Sequence, residues 1–577
     1  VVNYNGELYN FRELRAELEA TGSRFGGTSD TEVLVAAIER WGLSHSLERA
    51  NGMFALAVWD AKERSLHLAR DRFGEKPLYY GWAGRVFLFG SELKALRAHP
   101  RFEATVDRDA LALYFRHNCV PAPYSIYAGV SKLPPGTMLR VDGDPGAPAS
   151  PEPYWSLGDV VAGSLAARRT GSIEDSVDEL EAVLGSAVGS RMYADVPMGA
   201  FLSGGIDSSL VVALMQARAE TKVRTFTIAF DEAAFDEAAH AAAVSSHLGT
   251  DHTELLVTGA QALEVVPSLP VMFDEPFADS SQVPQAVLAR LTRSQVTVAL
   301  SGDGGDELFA GYNRYAFAAR WWPKLSKVPA PLRGALASAI TRVPVEAWDG
   351  AFGRLAPLLP ASLRIRMPGT KLHKAARVLP ASGPAEVHRL LASHVDDPAQ
   401  LVLGATEPQT ALSSPEAWPA GTSAVEAMQY LDTVTYLPDD ILTKVDRATM
   451  AVALETRLPF LDPAVASLAW RMPPEHKLEG GTGKRVLRQL LHRYVPAALV
   501  ERPKAGFGIP LAAWLRGPLR PWAADLLAPS VLARQGYLAP ERVARMWAEH
   551  DSSQRDWGYE LWDVLMLQAW LAEWLPQ

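Results

Sequence analysis

Residues 199–209 read GAFLSGGIDSS: an apolar run, a serine and two glycines, then an acid and two serines opening a helix-compatible stretch. No other segment constrains the fold as much. A strand that passes through a glycine turn straight into a helix belongs to a parallel sheet with helices on its faces. In such sheets ligands sit at the carboxyl ends of the strands. Gly204 and Gly205 let backbone N–H groups approach an anion, and the helix amino terminus adds partial positive charge. The loop has no lysine, unlike the GxxxxGK[ST] loop that handles a transferred γ-phosphate. Asp207 beside a phosphate makes physical sense with a divalent cation between them. A plain strand-to-helix turn is the ordinary alternative.

The surrounding pattern agrees with a parallel sheet. SIEDSVDELEAVLGSAVGSRM is an amphipathic helix with an acidic first turn. VPMGAFL, KVRTFTIAF and SQVTVALSG read as buried strands, alternating with the helices SSLVVALMQARAE and DEAAHAAAVSSHLG. The third strand runs into ALSGDGGDELFAGYNRY, which brings Asp303, Asp306 and Glu307 to the same sheet edge. Carboxylates there would hold magnesium or act as a base, and they would repel bare phosphate. A solvated acidic loop is the alternative. From about Tyr312 onward the chain reads as mostly helical. The Trp-rich end, DWGYELWDVLMLQAWLAEWLPQ, reads as core packing, with a homodimer surface as the alternative.

Upstream, residues 1–141 alternate short strands (FALAVWD, SLHLAR, RVFLFGS) with helical patterns, as in an α+β domain rich in antiparallel strands. The Pro-, Gly-, Ser- and Ala-rich stretch 142–172 reads as a linker or surface loop. Residues 173–577 form the second unit, since 577 residues exceed what one core supports. VVNYNGELYNF opens without Met on what reads as an interior strand, with NG as a tight turn, so the true amino terminus is expected upstream.

Bulk properties exclude several classes. A net charge of −10 argues against a nucleic-acid polyanion as the main partner. The single cysteine, Cys119, excludes a disulfide framework and a Cys-rich zinc site, and fits a reducing cytosol. No apolar run reaches membrane-span length, and no signal peptide is visible, so a cytoplasmic location is expected. His240, His247 and His252 lack metal-ligand spacing and read as structural.

SGGIDS resembles the pyrophosphate loop of the ATP pyrophosphatases. Together with SGDGGDELFAGY, DEPFADSSQVP, KVDRATMAVALETRLPFLD and RPKAGFGIPL, it resembles the synthetase domain of glutamine-dependent asparagine synthetases. NGELYN, SDTE, NGMFALAVWD, RDRFGEKPLYY and GSELKAL resemble that family's class II glutamine amidotransferase domain. The resemblance implies a truncated αββα-sandwich glutaminase domain. A Rossmann-like ATP pyrophosphatase domain with a helical carboxyl-terminal part would follow it.

It also implies the reaction. An aspartate carboxylate attacks the α-phosphate of ATP, pyrophosphate leaves, and ammonia converts β-aspartyl-AMP to asparagine. No γ-phosphoryl is transferred, which is why the loop needs no lysine. By resemblance, Ser203, Gly204, Gly205, Asp207 and Ser208 cradle pyrophosphate, with Asp207 and Asp306 on Mg2+. Phe201, Ile228, Ser301 and Gly302 surround the adenosine. Asp303 stands where relatives often carry glutamate, and Lys484 matches a lysine that steadies charge on the α-phosphate. Arg502 and Lys504 are candidates for substrate or phosphate contact, or for plain solvation.

Asn5, Gly6 and Glu7 match the glutamine-binding turn, where Asn5 and the Gly6 N–H would form an oxyanion hole. Asp30 matches the acid that fixes the glutamine α-amino group. The family's nucleophile is an amino-terminal cysteine. Cys119 cannot fill that place and is expected to be a small buried hydrophobe. The implied partners are aspartate, glutamine or ammonia, and ATP. The rivals are a sister amidotransferase acting on another carboxylate or closing a β-lactam, a non-catalytic scaffold, and a tRNA-modifying enzyme.

Overall fold

The computed structural model describes residues 1–143, 150–230, 238–355, 368–501 and 509–575. Among the described residues the amino-terminal part holds eight strands: β1 (Val2–Leu8), β2 (Gly52–Asp60), β3 (Ser65–Arg70), β4 (Tyr79–Ala83), β5 (Val86–Gly90), β6 (Val130–Lys132), β7 (Thr137–Val141) and β8 (Glu152–Pro153). They form an antiparallel sheet in the order β1-β2-β3-β7-β8 and a smaller one in the order β5-β4-β6. Strand β2 is apolar on both faces because both are covered. Phe54 and Leu56 pack with Phe11, Leu14 and Leu34 of the helices Phe11–Ala20 and Asp30–Trp41. Ala55 and Ala57 pack with Tyr80 of the second sheet and with Leu78 and Leu133 beside it. Tyr79 then packs against the helices Leu93–Arg97 and Arg108–His117, which completes four layers.

The second part is built on β9 (Met198–Phe201), β10 (Arg224–Phe230), β11 (Asp251–Val257), β12 (Val298–Leu300) and β13 (Glu455–Arg457). All four pairings are parallel, in the order β11-β10-β9-β12-β13. Counted along the chain this is 3-2-1-4-5, the Rossmann-like order expected. The helices Ile173–Arg191, Ile206–Gln216 and Arg485–Leu491 share one core cluster. Gln282–Arg293 and Thr443–Met450 contribute to the other, which runs on into the carboxyl-terminal helices. Trp562 and Trp570 lie fully inside that core, so the Trp-rich end packs internally along this face. Among the described residues no helix is long and apolar enough to cross a membrane.

Three local features differ from the sequence expectation. Asn5 and Gly6 lie within strand β1, opposite Ala55 and Phe54, and do not form a turn. The glycine is required by a close approach: a Cβ on Gly6 would meet the Met53 carbonyl oxygen at 2.1 Å. The stretch 142–172 holds β8 and the helix Leu157–Ala166, whose Leu157 and Val161 pack on Trp470. Its Ala/Gly/Pro composition hides order imposed by tertiary contact. Strands β11 and β13 were not expected, because one is a largely exposed edge and the other has three residues.

Candidate active site

The strand order reverses between β9 and β12, so a crevice opens where their carboxyl ends diverge. The loops leaving those two strands are 202–205 and 301–304. Each is shaped by a close approach to a neighbouring helix. Gly204 adopts φ +69°, and a Cβ there would meet Ala241 N at 2.8 Å. A Cβ on Gly302 would meet Ser208 N at 2.8 Å, so the second loop lies directly on the first turn of the helix Ile206–Gln216. Within the first loop Ser208 Oγ accepts from Ser203 N (3.2 Å) and lies 3.0 Å from Ser203 Oγ. Phe201 ends β9, Ile228 lies toward the same end of β10, and Ser301 N donates to the Arg457 carbonyl of β13. The structure thus gathers Phe201, Ser203, Gly204, Gly205, Asp207, Ser208, Ile228, Ser301 and Gly302 along one sheet edge.

Lys484 joins them from far downstream. It stands in the left-handed region (φ +56°) at the start of the helix Arg485–Leu491, and its N–H donates to the Phe309 carbonyl. Its ammonium contacts Asp207 Oδ2 and lies 2.6 Å from Asp306 Oδ1. Burial works against that charge, but Asp207 and Asp306 outweigh it and hold the lysine above its ordinary range. Asp303 Oδ2 accepts from Ser301 Oγ (2.6 Å), and burial raises its carboxyl. Glu307 accepts from Tyr312 (2.6 Å); burial and then Asp306 push it up to about 7. Among the described residues no group of three or more His, Cys, Asp or Glu is placed to hold a metal. Arg502 and Lys504 lie outside the described residues.

A second cluster lies on the amino-terminal sheet. Asn5 and Glu7 project from the same face of β1. Asn5 Nδ2 donates to Ser91 Oγ at 3.0 Å. Asp30, at the start of its helix, accepts from Leu8 N at 2.9 Å and Tyr4 Oη at 3.2 Å. Burial pushes Glu7 up to about 7 against the pull of Arg457, whose guanidinium lies 3.3 Å away on β13. Cys119 is buried elsewhere, in a cavity of about 380 Å³ that Arg314, Tyr436 and Asp439 also line. Burial, Asp440 and Asp439 raise its thiol well above the usual range. His252 bonds Thr225 Oγ1 (2.9 Å) and His247 bonds the Tyr494 carbonyl (3.0 Å), both structural contacts.

Comparison with known proteins finds a match for each part of the chain. Residues 179–572 match the asparagine synthase family, and residues 1–155 match the glutamine amidotransferase domain. The chain belongs to the asparagine synthase family. Similar chains include a putative asparagine synthetase [glutamine-hydrolyzing] of Mycobacterium tuberculosis (strain ATCC 25618 / H37Rv), 34% identical, covering 99% of this chain and 84% of that one. Asparagine synthetase [glutamine-hydrolyzing] 1 of Bacillus subtilis (strain 168) is 32% identical, covering 98% and 84%. The amidase chyE of Penicillium rubens is 29% identical, covering 95% and 83%. In this asparagine synthase family member the β1–β8 part coincides with the amidotransferase match, and the β9–β13 part lies inside the synthase match.

Two contacts between the parts were not foreseen from sequence. Arg457 of β13 pairs with Glu7 of β1. Arg447 donates to the carbonyl of Ser91, whose hydroxyl accepts from Asn5. KVDRATM and ETRLPFLD mark both arginines in sequence, but nothing local says what they face.

Proposed function

We infer that this asparagine synthase family member is a carbon–nitrogen ligase that uses ATP to amidate L-aspartate, with glutamine as the family's nitrogen donor. The observation that carries it is the packing of the 301–304 glycine loop on the first turn of the helix Ile206–Gln216 at the switch point of the sheet, with Lys484 reaching both Asp207 and Asp306. In this reading the glutaminase part is 1–141 and the synthetase part 173–577. The Ser203–Ser208 loop holds the pyrophosphate of ATP, and Phe201, Ile228, Ser301 and Gly302 surround its adenosine.

Asp207 and Asp306 converge on one cationic atom, Lys484 Nζ, so their donor geometry suits a single cation. Two carboxylates, completed by phosphate oxygens and water, are an ordinary setting for Mg2+. When bound there, Mg2+ neutralises charge on the departing pyrophosphate. The residues do the rest. An oxygen of the acceptor carboxylate attacks the α-phosphorus, the bond to the bridging oxygen of pyrophosphate breaks, and Lys484 steadies the charge building on the α-phosphate. Asp303 borders the acyl adenylate. Ammonia then attacks the acyl carbon and AMP leaves with the C–O bond electrons. On the amidotransferase side, Glu7 and Asp30 would hold the glutamine α-ammonium. Asn5 and the Gly6 N–H would face the oxyanion.

A screen for AMP release tests the assignment, run across aspartate, glutamate and larger carboxylates with ammonium as nitrogen source. L-Aspartate is expected to drive it. Release with a larger acid alone would move the acceptor to that acid.

A further inference from the structure

Two charged side chains near Asp303 have no part in the chemistry above. Asp279 lies in DEPFADSS, just before the helix Gln282–Arg293, and Lys444 lies in the helix Thr443–Met450. Lys444 Nζ donates to Asp279 Oδ2 at 2.6 Å and to Ser281 Oγ at 2.8 Å. The two side chains keep 11% and 16% of their surface exposed, so the pair is largely buried without being fully sealed in the core. Burial acts to raise Asp279, but Lys444 and Ser281 outweigh it and bring the carboxyl to about 2, a fixed anion. Lys444 and Asp303 act on each other electrostatically, the lysine lowering the acid and the acid raising the lysine. Asp440, 1% exposed, shares a side-chain hydrogen bond with Asp279, and burial followed by the Asp279 charge raises its carboxyl well above the usual range.

A structural role explains only part of Asp279. Its Oδ1 accepts from Ser281 N at 2.9 Å, and both of its oxygens lie 2.8 Å from Ser281 Oγ, which shapes the turn into the helix. The Oδ2 bond to Lys444 is not needed for that turn. An ion pair in a partly open wall has a property that a lone charge lacks: a zwitterion can insert between its members, its cation against the acid and its anion against the lysine. Two pairs then replace one, and no buried charge is left uncompensated. A ligand with a carboxylate and no ammonium would instead meet Asp279 with like charge.

We propose that Asp279 and Lys444 clamp the head group of the acceptor, which is therefore a zwitterionic α-amino acid, Asp279 taking its α-ammonium and Lys444 its α-carboxylate. This rests on the ligase reading and specifies how its acceptor is recognised. The acceptor's remaining carboxylate is then the one presented beside Asp303.

The test is ATP–pyrophosphate exchange by the full chain with three acceptors. They are L-aspartate, succinate (the ammonium removed) and β-alanine (the α-carboxylate removed). Each charge-assisted contact is expected to contribute about tenfold to hundredfold in kcat/KM. The wild type should therefore favour L-aspartate over both analogues by such factors. Asp279→Asn keeps the Oδ1 turn and removes only the charge. It should raise the KM for L-aspartate, leave the KM for ATP in place and erase the preference over succinate. Lys444→Met should erase the preference over β-alanine, and Lys444→Arg should restore part of it. Thermal melting of each variant confirms that it is folded. Equal losses with L-aspartate and succinate in Asp279→Asn, or a rise confined to the KM for ATP, would overturn the clamp. If another amino acid drives the exchange, the same comparison is made with that acid and its des-amino counterpart. Equal rates for the two sink the clamp while the ligase reading stands. Exchange with no acid at all ends both.

Discussion

At the scale of single residues, the site is a contest between burial and compensation. Asp207→Asn or Asp306→Asn removes a charge that would face magnesium and pyrophosphate. Either is expected to abolish AMP and pyrophosphate formation, a loss of roughly several kcal/mol in the barrier, while the protein stays folded. Near-normal synthesis by both at saturating magnesium would contradict the assignment. Lys484→Ala should lower kcat far more than it raises the KM for ATP, because charge on the α-phosphate develops only in the transition state. Steady-state kinetics in ATP separates the two. Glu75 offers a pH test unrelated to catalysis. Burial, then Asp71, raises its carboxyl from 4.5 to about 8. The native state therefore holds this proton more tightly than the unfolded chain. The stability it contributes is complete below about pH 4.5 and is lost as pH rises towards 8. Glu75→Gln should remove that slope, so its stability relative to wild type in urea denaturation should grow by a few kcal/mol between pH 5 and 9. A constant difference across that range would refute it. The acids and glycines of both loops could be read from sequence because their spacing is local. Lys444 and Asp279 lay inside motifs already noted, yet no role could be given to them before their partners were placed.

At the scale of elements, the helix Pro463–Arg471 shows how one side chain ties three pieces together. Asp462 caps that helix by accepting from Ala464 N, pairs with Arg191 at 2.9 Å and accepts from Asn51 of the amino-terminal part at 2.8 Å. Arg191 is 1% exposed, so removing it leaves a buried carboxylate without its main counter-charge. Arg191→Met should cost about 3–5 kcal/mol, and the joint change with Asp462→Asn should recover part of it. A denaturation cycle over the two positions measures this, and strictly additive losses would rule out the coupling. Strands β9, β10 and β12 were legible as apolar runs. Strand β11 was not, since its exposed residues carry no strand pattern, and β13 is too short to carry any period. Yet β13 supplies Arg457, which reaches Glu7.

At the scale of the whole molecule, the question is where nitrogen enters. The sequence holds one thiol, Cys119, which is buried with its thiol raised well above the usual range, in a cavity away from Asn5, Glu7 and Asp30. The 577-residue chain by itself should therefore make AMP from acceptor, ATP and ammonium, and release no glutamate from glutamine. Glutamate release that survives Cys119→Ala would show that another group attacks the amide. What the sequence determined by itself were the features governed by neighbours along the chain: the strand–glycine–helix turn, the acids beside it, the helix caps and the apolar strands. Their chemistry is complete within a few residues. Tertiary structure alone decided which loops meet, that a lysine 277 residues from Asp207 lands between two carboxylates, that Arg457 faces Glu7 and that Cys119 is sealed away. Those outcomes depend on which buried charge is compensated by which partner. Such compensation is a property of position in space, and no local pattern encodes it.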